Sequence, residues 1–164
     1  MSSKAGNEIS IGVYTGVVEE RYNEPSFLKQ LENIGQLLDG KDAEILSAGR
    51  NRNIRVVLSC RERRLDAVVK VFHRQNTLRD RLDAGRGSKA KRTWLAASYL
   101  ESKGIGTPVP IGFMERRQAG RLIESYYLAE YQAEAVSFKD ELIRLFRHDP
   151  QCGKFMTLMQ CVAE

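Results

Sequence analysis

The sequence predicts an α+β fold in which helices pack on an antiparallel sheet of short strands. Three runs rich in β-branched residues follow one another closely, at residues 43–48, 54–60 and 65–72, and only short polar turns separate them. Consecutive strands joined by tight turns form an antiparallel meander. A capped helical stretch and a second pair of strand-like runs come next, which favours a mixed domain over an all-α one.

The first forty residues predict a strand and a helix. Residues 9–18 are rich in β-branched side chains, as is typical of a strand. Pro25, which is tolerated in the first turn of a helix, opens a helical pattern that Gly40 closes. Its apolar stripe consists of Phe27, Leu28, Leu31, Ile34, Leu37 and Leu38. We expect residues 1–41 to form an N-terminal strand/helix extension that packs on the rest of the domain.

The middle of the chain predicts a helix and then a hairpin. Ser88 can cap a helix that runs to about Lys103, and Gly104 can end it in the left-handed conformation. The strand-like runs 111–115 and 123–131 flank a polar turn with a glycine, as in a hairpin.

Helical patterns then continue to the last residue. The first covers residues 137–147, and the second starts at about residue 151. The second carries an apolar stripe of Phe155, Leu158, Met159 and Val162. An exposed stripe of this kind tends to find a partner, so we expect this region either to self-associate through residues 151–164 or to fold back against the preceding domain.

Composition bounds the kind of partner. The 164 residues carry a formal net charge of +5, which fits an anionic partner such as a nucleotide, a phosphorylated sugar, nucleic acid or a membrane surface. A basic surface that only keeps the protein in solution is the alternative. The three cysteines stand singly, without a Cys-x-x-Cys or Cys/His cluster, which indicates reduced thiols in a cytoplasmic protein and no zinc site. Neither a signal peptide nor a spanning segment is predicted, so any membrane contact is expected to be peripheral.

Lys70 has the clearest chemical implication of any residue. It lies in the run Ala67-Val-Val-Lys-Val-Phe72, which is otherwise suited to burial, and a buried ammonium without a partner is costly. Kinases place a lysine on their third strand, commonly in the context Val-Ala-Ile-Lys, where it pairs with nucleotide phosphates. A lysine that extends to water from an edge strand is the alternative. Two preceding strands and a following capped helix favour the phosphate role.

Four segments together resemble a known family. They begin with Val68-Val-Lys-Val-Phe72 and Arg86-Gly-Ser-Lys-Ala-Lys-Arg-Thr-Trp94, and continue with Leu100-Glu-Ser-Lys-Gly-Ile-Gly-Thr-Pro-Val-Pro-Ile-Gly112 and Ser125-Tyr-Tyr-Leu-Ala-Glu130. This combination is similar to the lipopolysaccharide core heptose and Kdo kinases, which have a protein-kinase-like fold and phosphorylate inner-core sugars from ATP. The resemblance covers about residues 43–136.

The resemblance implies a domain organisation. Residues 42–131 would form a protein-kinase-like N-lobe, an antiparallel five-stranded sheet plus a helix. Residues 132–164 would form the hinge and the start of a truncated helical C-lobe. The order of three strands, a helix, two strands, a short link and helices agrees with this plan.

It also implies a nucleotide site. Lys70 would contact the α- and β-phosphates of ATP. The turn-rich loop Gly49-Arg50-Asn51-Arg52-Asn53 would cover the nucleotide as the counterpart of the glycine-rich loop, although only one glycine of that motif is present. A solvated turn is the alternative for its arginines. The Glu130 carbonyl and the Gln132 amide would bind the adenine edge, with Tyr127 and Leu128 near the back of the pocket.

Two features depart from a complete kinase. The helix position that carries the lysine-pairing glutamate in kinases falls on Thr93, and Glu101 lies two turns later. No catalytic aspartate or metal-binding asparagine in the expected context follows, so we expect the Mg²⁺ ligands in a missing C-lobe and no activity from this chain by itself.

Several functions fit these features. The leading one is an ATP-dependent kinase with a lipopolysaccharide core sugar as acceptor, working in the cytoplasm and touching the inner face of the cytoplasmic membrane peripherally. A kinase-like enzyme with a protein or small-molecule acceptor is an alternative, and so is a pseudokinase or regulatory nucleotide-binding module. A nucleic-acid partner is disfavoured because the arginines are scattered and no aromatic stacking platform accompanies them.

Overall fold

The computed structural model describes residues 6–49, 51–73, 87–135, 143–145, 147 and 153. The chain divides into two compact units, Met1–Tyr131 and Gln132–Glu164. The first unit contains all the strands described here, and it also contains Lys70.

The first unit is built on seven strands. They are β1 (Asn7–Ile11), β2 (Tyr14–Val18), β3 (Glu44–Ser47), β4 (Asn51–Cys60), β5 (Arg63–His73), β6 (Pro110–Gln118) and β7 (Arg121–Glu130). The helices among its described residues are a 3-10 turn (Glu20–Tyr22), α1 (Pro25–Glu32), α2 (Ile34–Leu38) and α3 (Lys89–Ser102). A mixed α+β fold, as predicted, is confirmed.

All seven strands join one antiparallel sheet in the order β1-β2-β6-β7-β5-β4-β3. The prediction of a five-stranded sheet was therefore wrong. The single strand expected over residues 9–18 is a hairpin, because Gly12 has a φ of +53° in the turn between Ile11 and Tyr14. The second strand of this hairpin pairs with β6, so part of the N-terminal extension lies inside the sheet.

One face of the sheet packs on α1 and α2. The single helix expected from Pro25 to Gly40 is two helices that meet at Asn33. Four residues of the predicted apolar stripe are buried there: Phe27, Leu31, Ile34 and Leu38. They join alternate strand residues, among them Ile54, Val56, Leu58, Val69, Val71 and Leu128, in what we call the first core.

The other face packs on α3, which agrees with the prediction. The Ser88 hydroxyl caps the helix by accepting from the Lys91 backbone N–H at 3.0 Å, and Gly104 follows its end with a φ of +72°. The second core contains Phe72, Ala90, Trp94, Ala97, Phe113, Tyr127 and Ala129. Helix α3 packs mainly on β6 and β7 and reaches β5 only marginally. Helix α3 therefore does not extend over the β4 side of this face.

Little of the second unit is described. Residues 143–145, 147 and 153 are helical, and the Ala135 N–H donates to the Gln132 carbonyl in a turn at 3.2 Å. Most of the helices expected over 137–147 and from residue 151 lies outside the described residues, as does the apolar stripe of the second. Among the described helices, none is long and apolar enough to cross a membrane.

Candidate anion-binding face around Lys70

Lys70 lies near the middle of the sheet. It is directly opposite Asn53 of β4 and Tyr127 of β7. Its chain neighbours Val69 and Val71 belong to the first core, so the alternation of a strand places the Lys70 side chain on the α3 face. The residue is half-buried, and its Nζ lies 5.6 Å from the centroid of the Phe72 ring.

Lys70 makes no ion pair within the described part of the chain. Thr93 does not reach towards it, since its hydroxyl donates to the Lys89 carbonyl of the same helix at 2.8 Å. The Glu101 carboxylate pairs with Arg21 at 3.4 Å. The ammonium of Lys70 is therefore a positive charge for which the described residues offer no carboxylate.

Arg55 is the second cation on this face, and its charge is already compensated. Its Nε and Nη2 donate to Asp66 Oδ1 at 3.1 and 2.8 Å, and its Nη1 donates to Glu44 at 3.2 Å. The guanidinium also lies 4.3 Å from the centroid of the Tyr131 ring. The hydrogen bond from Arg55 lowers the pKa of the Asp66 carboxyl below its usual value, so this partner stays ionised.

Polar side chains extend from Lys70 towards the sheet edge. Asn51, Asn53 and Arg55 share its face because Ile54 and Val56, which alternate with them along β4, point into the first core. The Asn53 amide donates to the Ser47 hydroxyl at 2.8 Å. A cation, amides and the half-buried Val57 and Val68 thus lie side by side, an arrangement that suits a ligand with both an anionic and an apolar part.

The loop predicted over residues 49–53 is mostly strand, which corrects the expectation of a turn. Asn51, Arg52 and Asn53 already belong to β4 and pair with β5. Asn51 lies on the Lys70 face, whereas Arg52 is opposite Val71 and points to the other face. Gly49 lies in the β3–β4 connection, where an added Cβ would meet nothing within 4 Å. Arg50 lies outside the described residues.

The Glu130 carbonyl and the Gln132 amide, both backbone groups, stay the predicted contacts of the adenine edge. The Glu130 backbone N–H donates to the Val109 carbonyl at 2.9 Å, and its carboxylate accepts from the Tyr22 hydroxyl of the first core. Its side chain is therefore on the face opposite Lys70. Gln132 belongs to the second unit.

Tyr127 and Leu128 point to opposite faces of β7. Leu128 is fully buried in the first core, whereas Tyr127 adjoins Lys70 in the second. Burial, followed by the charge of Glu101, raises the pKa of Tyr127 to about 12. Tyr127 therefore stays neutral and forms an apolar boundary of the site.

A cleft of about 950 Å³ lies between the α1–α2 pair and the edge of β4, and its lining includes Arg55 and Val57 but not Lys70. In its wall, the Gln30 side-chain amide accepts from the Ser59 N–H at 2.9 Å and donates to the Ser59 carbonyl at 2.8 Å. In the part of the chain that the structure describes, no group of three or more metal-binding side chains comes together.

Arg55 and Asp66 were not predicted as neighbours of the candidate site, and Asn53 was expected only as part of the loop over the nucleotide. The signal was available, because the alternating apolar residues of β4 already placed the residues between them on the opposite face. The register that sets Asn53 beside Lys70, however, depends on the length of the β4–β5 turn.

Comparisons of the chain with protein-family models, curated proteins and solved structures gave no match.

Proposed function

We propose that this chain is the nucleotide-binding N-terminal part of an ATP-dependent phosphotransferase that resembles the lipopolysaccharide core sugar kinases. The observation that carries the proposal is Lys70, a half-buried cation on a central strand that lacks a carboxylate partner among the described residues. Such a charge is stabilised when a phosphate binds to it.

The order of elements supports the same proposal. Strands β3, β4 and β5 are followed by α3 and then by β6 and β7, which is the succession of three strands, a helix and two strands found in a protein-kinase N-lobe. The lysine lies on the third strand of this series, where kinases carry theirs. The β1–β2 hairpin is an addition at the β6 edge of the sheet.

The described residues fit nucleotide phosphates and offer no site for a metal. Lys70 would bind and orient the phosphates, and the amides of Asn51 and Asn53 would donate further hydrogen bonds. ATP would supply the transferred phosphoryl group, and the Mg²⁺ ligands would come from a C-lobe. We therefore propose that this chain by itself binds ATP weakly, independently of Mg²⁺, and does not consume it.

A pseudokinase or regulatory nucleotide-binding module is the second candidate. The hydroxyl of Thr93 is engaged inside its own helix, and no acidic residue of α3 pairs with Lys70 within the described residues. Kinases need such a pair for an active arrangement. The family resemblance and the composition support three further parts of the proposal: a sugar acceptor, a cytoplasmic location and a peripheral membrane contact. The alternative of a protein or small-molecule acceptor has the same support.

Titration with ATP, followed by calorimetry and by amide NMR shifts, tests the proposal. Lys70→Ala should weaken binding by about tenfold or more, since a charge-assisted hydrogen bond contributes about 1.5–3 kcal/mol. Lys41→Ala is the matched control, because Lys41 is an exposed lysine in the turn before β3. Equal affinities of the two variants, or shifts confined to the 116–121 hairpin, would contradict nucleotide binding at Lys70.

A further inference from the structure

Helix α3 carries large apolar side chains on the side that faces away from the sheet as well as on the buried side. Its second-core side carries Ala90, Trp94 and Ala97. On the opposite side, Leu95 is 50% exposed and Tyr99 is 61% exposed, one turn apart. Ile105, just beyond the helix, is 53% exposed. Large apolar side chains grouped on a surface mark an interaction site more often than single ones do.

Lysines stand at both ends of this group. Lys91 lies one turn before Leu95, and Lys103 lies one turn after Tyr99, with its Nζ 5.5 Å from the centroid of the Tyr99 ring. The acidic residue of α3, Glu101, is half-buried and pairs with Arg21, away from this line. We call Lys91, Leu95, Tyr99, Lys103 and Ile105 the α3 outer line. It combines exposed apolar groups with positive charge and contains no acid.

A second copy of the chain is a poor occupant of the α3 outer line. Three exposed apolar side chains fall well short of the roughly 800 Å² per partner that a stable protein interface buries. An antiparallel pair of these helices would set Lys91 of one copy against Lys103 of the other, and a parallel pair would set each lysine against its equivalent. Both arrangements bring like charges together, which is destabilising.

We propose that the α3 outer line docks on an anionic membrane surface. Leucine and isoleucine can enter the boundary between headgroups and acyl chains, and tyrosine is suited to the same depth because its ring is apolar and its hydroxyl is polar. The two lysines would remain among the anionic headgroups while their stems lie along apolar surface. The proposal rests on the proposed function in assigning a surface to its peripheral membrane contact. It can be tested apart from nucleotide binding, because Lys70 is on the sheet and the α3 outer line faces away from it.

Cosedimentation of the full chain with vesicles tests the docking. Wild-type protein should bind vesicles of phosphatidylcholine mixed with phosphatidylglycerol and bind much less to phosphatidylcholine alone. The double variant Leu95→Ser/Tyr99→Ser should bind the mixed vesicles with an affinity about tenfold lower, or lower still, since such binding scales with the apolar area that is buried. Lys91→Gln/Lys103→Gln should weaken binding and reduce its salt dependence.

The matched control is Val13→Ser/Ile45→Ser. These side chains are 65% and 56% exposed, but they lie on the β1–β2 turn and on β3. This control and Lys70→Ala should bind vesicles as the wild type does, and circular dichroism should show that all variants fold.

Three results would overturn the proposal. The first is that the wild type does not bind the mixed vesicles, and the second is that the Val13/Ile45 control loses as much binding as the Leu95/Tyr99 variant. The third is that the Leu95/Tyr99 variant changes its oligomeric state while its vesicle binding stays the same. A loss of ATP binding by Lys70→Ala with unchanged vesicle binding separates this surface from the nucleotide site.

Discussion

Two buried serines on the α3 face have opposite hydrogen-bonding environments. The Ser88 hydroxyl accepts from the Lys91 N–H at the start of α3 and so satisfies one of the free donors of a helix N-terminus. Ser125 on β7 is 1% exposed, and its hydroxyl has no hydrogen-bond partner among the described residues. A buried hydroxyl without a partner has lost its water and gained nothing in return.

Replacing each serine by alanine should therefore change stability in opposite directions. Ser88→Ala should lower the free energy of unfolding by about 1 kcal/mol, because the cap is lost. Ser125→Ala should leave it unchanged or raise it by about 1 kcal/mol, because an unsatisfied polar group is removed. Urea unfolding of both variants, with equal m-values, measures the two differences. A loss in Ser125→Ala as large as in Ser88→Ala would mean that its hydroxyl is bonded after all.

At the residue scale, the sequence located Lys70 but not its surroundings. The apolar run around Lys70 placed it on a strand, and the two strands before it and the capped helix after it favoured the phosphate role over an edge-strand lysine. Arg52 was assigned to the nucleotide from the family pattern. One position along a strand reverses the face of a side chain, and the structure has the Arg52 side chain on the face opposite Lys70.

At the element scale, prediction was accurate where local signals agreed and failed at two turns. Helix α3 has a serine cap and a glycine stop, and its boundaries followed from them. Gly12 was taken for part of a strand, although a glycine inside a strand pattern is itself a turn signal. The β4–β5 turn consists of Arg61 and Glu62, both at positive φ, without the glycine or asparagine that usually marks such turns.

The pairing of β2 with β6 depends on two glycines at which the backbones of the two strands lie very close together. Sequence patterns did not indicate this close approach. A Cβ added at Gly16 would lie 2.0 Å from the Phe113 carbonyl oxygen and 2.9 Å from the Met114 Cα. Gly112, on the facing strand, would meet the Val17 carbonyl oxygen at 2.3 Å. Only residues without a side chain allow the two backbones to approach in this way.

Gly16→Ala should therefore loosen the attachment of the β1–β2 hairpin. We expect a loss of roughly 1–3 kcal/mol or more, because backbone atoms have to move. Gly35→Ala is the matched control: it lies in α2, an added Cβ there meets nothing within 4 Å, and alanine should stabilise the helix by about 0.5–1 kcal/mol. Thermal unfolding of both variants tests this. Equal melting temperatures would show that the β2–β6 contact relaxes without cost.

At the scale of the whole sheet, the strand order determines which backbone groups are protected from water. Strands β5 and β7 each pair on both sides, whereas β3 lies at one edge with all four residues exposed. The Tyr131 N–H donates to the Asp66 carbonyl. The backbone groups of the even-numbered residues of β5 therefore point towards β7, and those of the odd-numbered residues point towards β4. The N–H groups of Val56 and Leu58 accordingly point towards β5, and those of Val57 and Ser59 point away from it.

Amide hydrogen exchange followed by NMR should reproduce this order. The slowest exchange is expected in β5 and β7 and the fastest strand exchange in β3, because protection follows pairing and burial. Within β4, Val57 should exchange much faster than Val56 and Leu58, since β3 begins opposite Arg55 and leaves the Val57 N–H without a strand partner. Ser59 should be slowed by its bond to the Gln30 side chain, and Gln30→Ala should remove that protection while leaving Val56 and Leu58 unchanged. If Val57 were as protected as its two neighbours, another segment would have to cover this edge of β4.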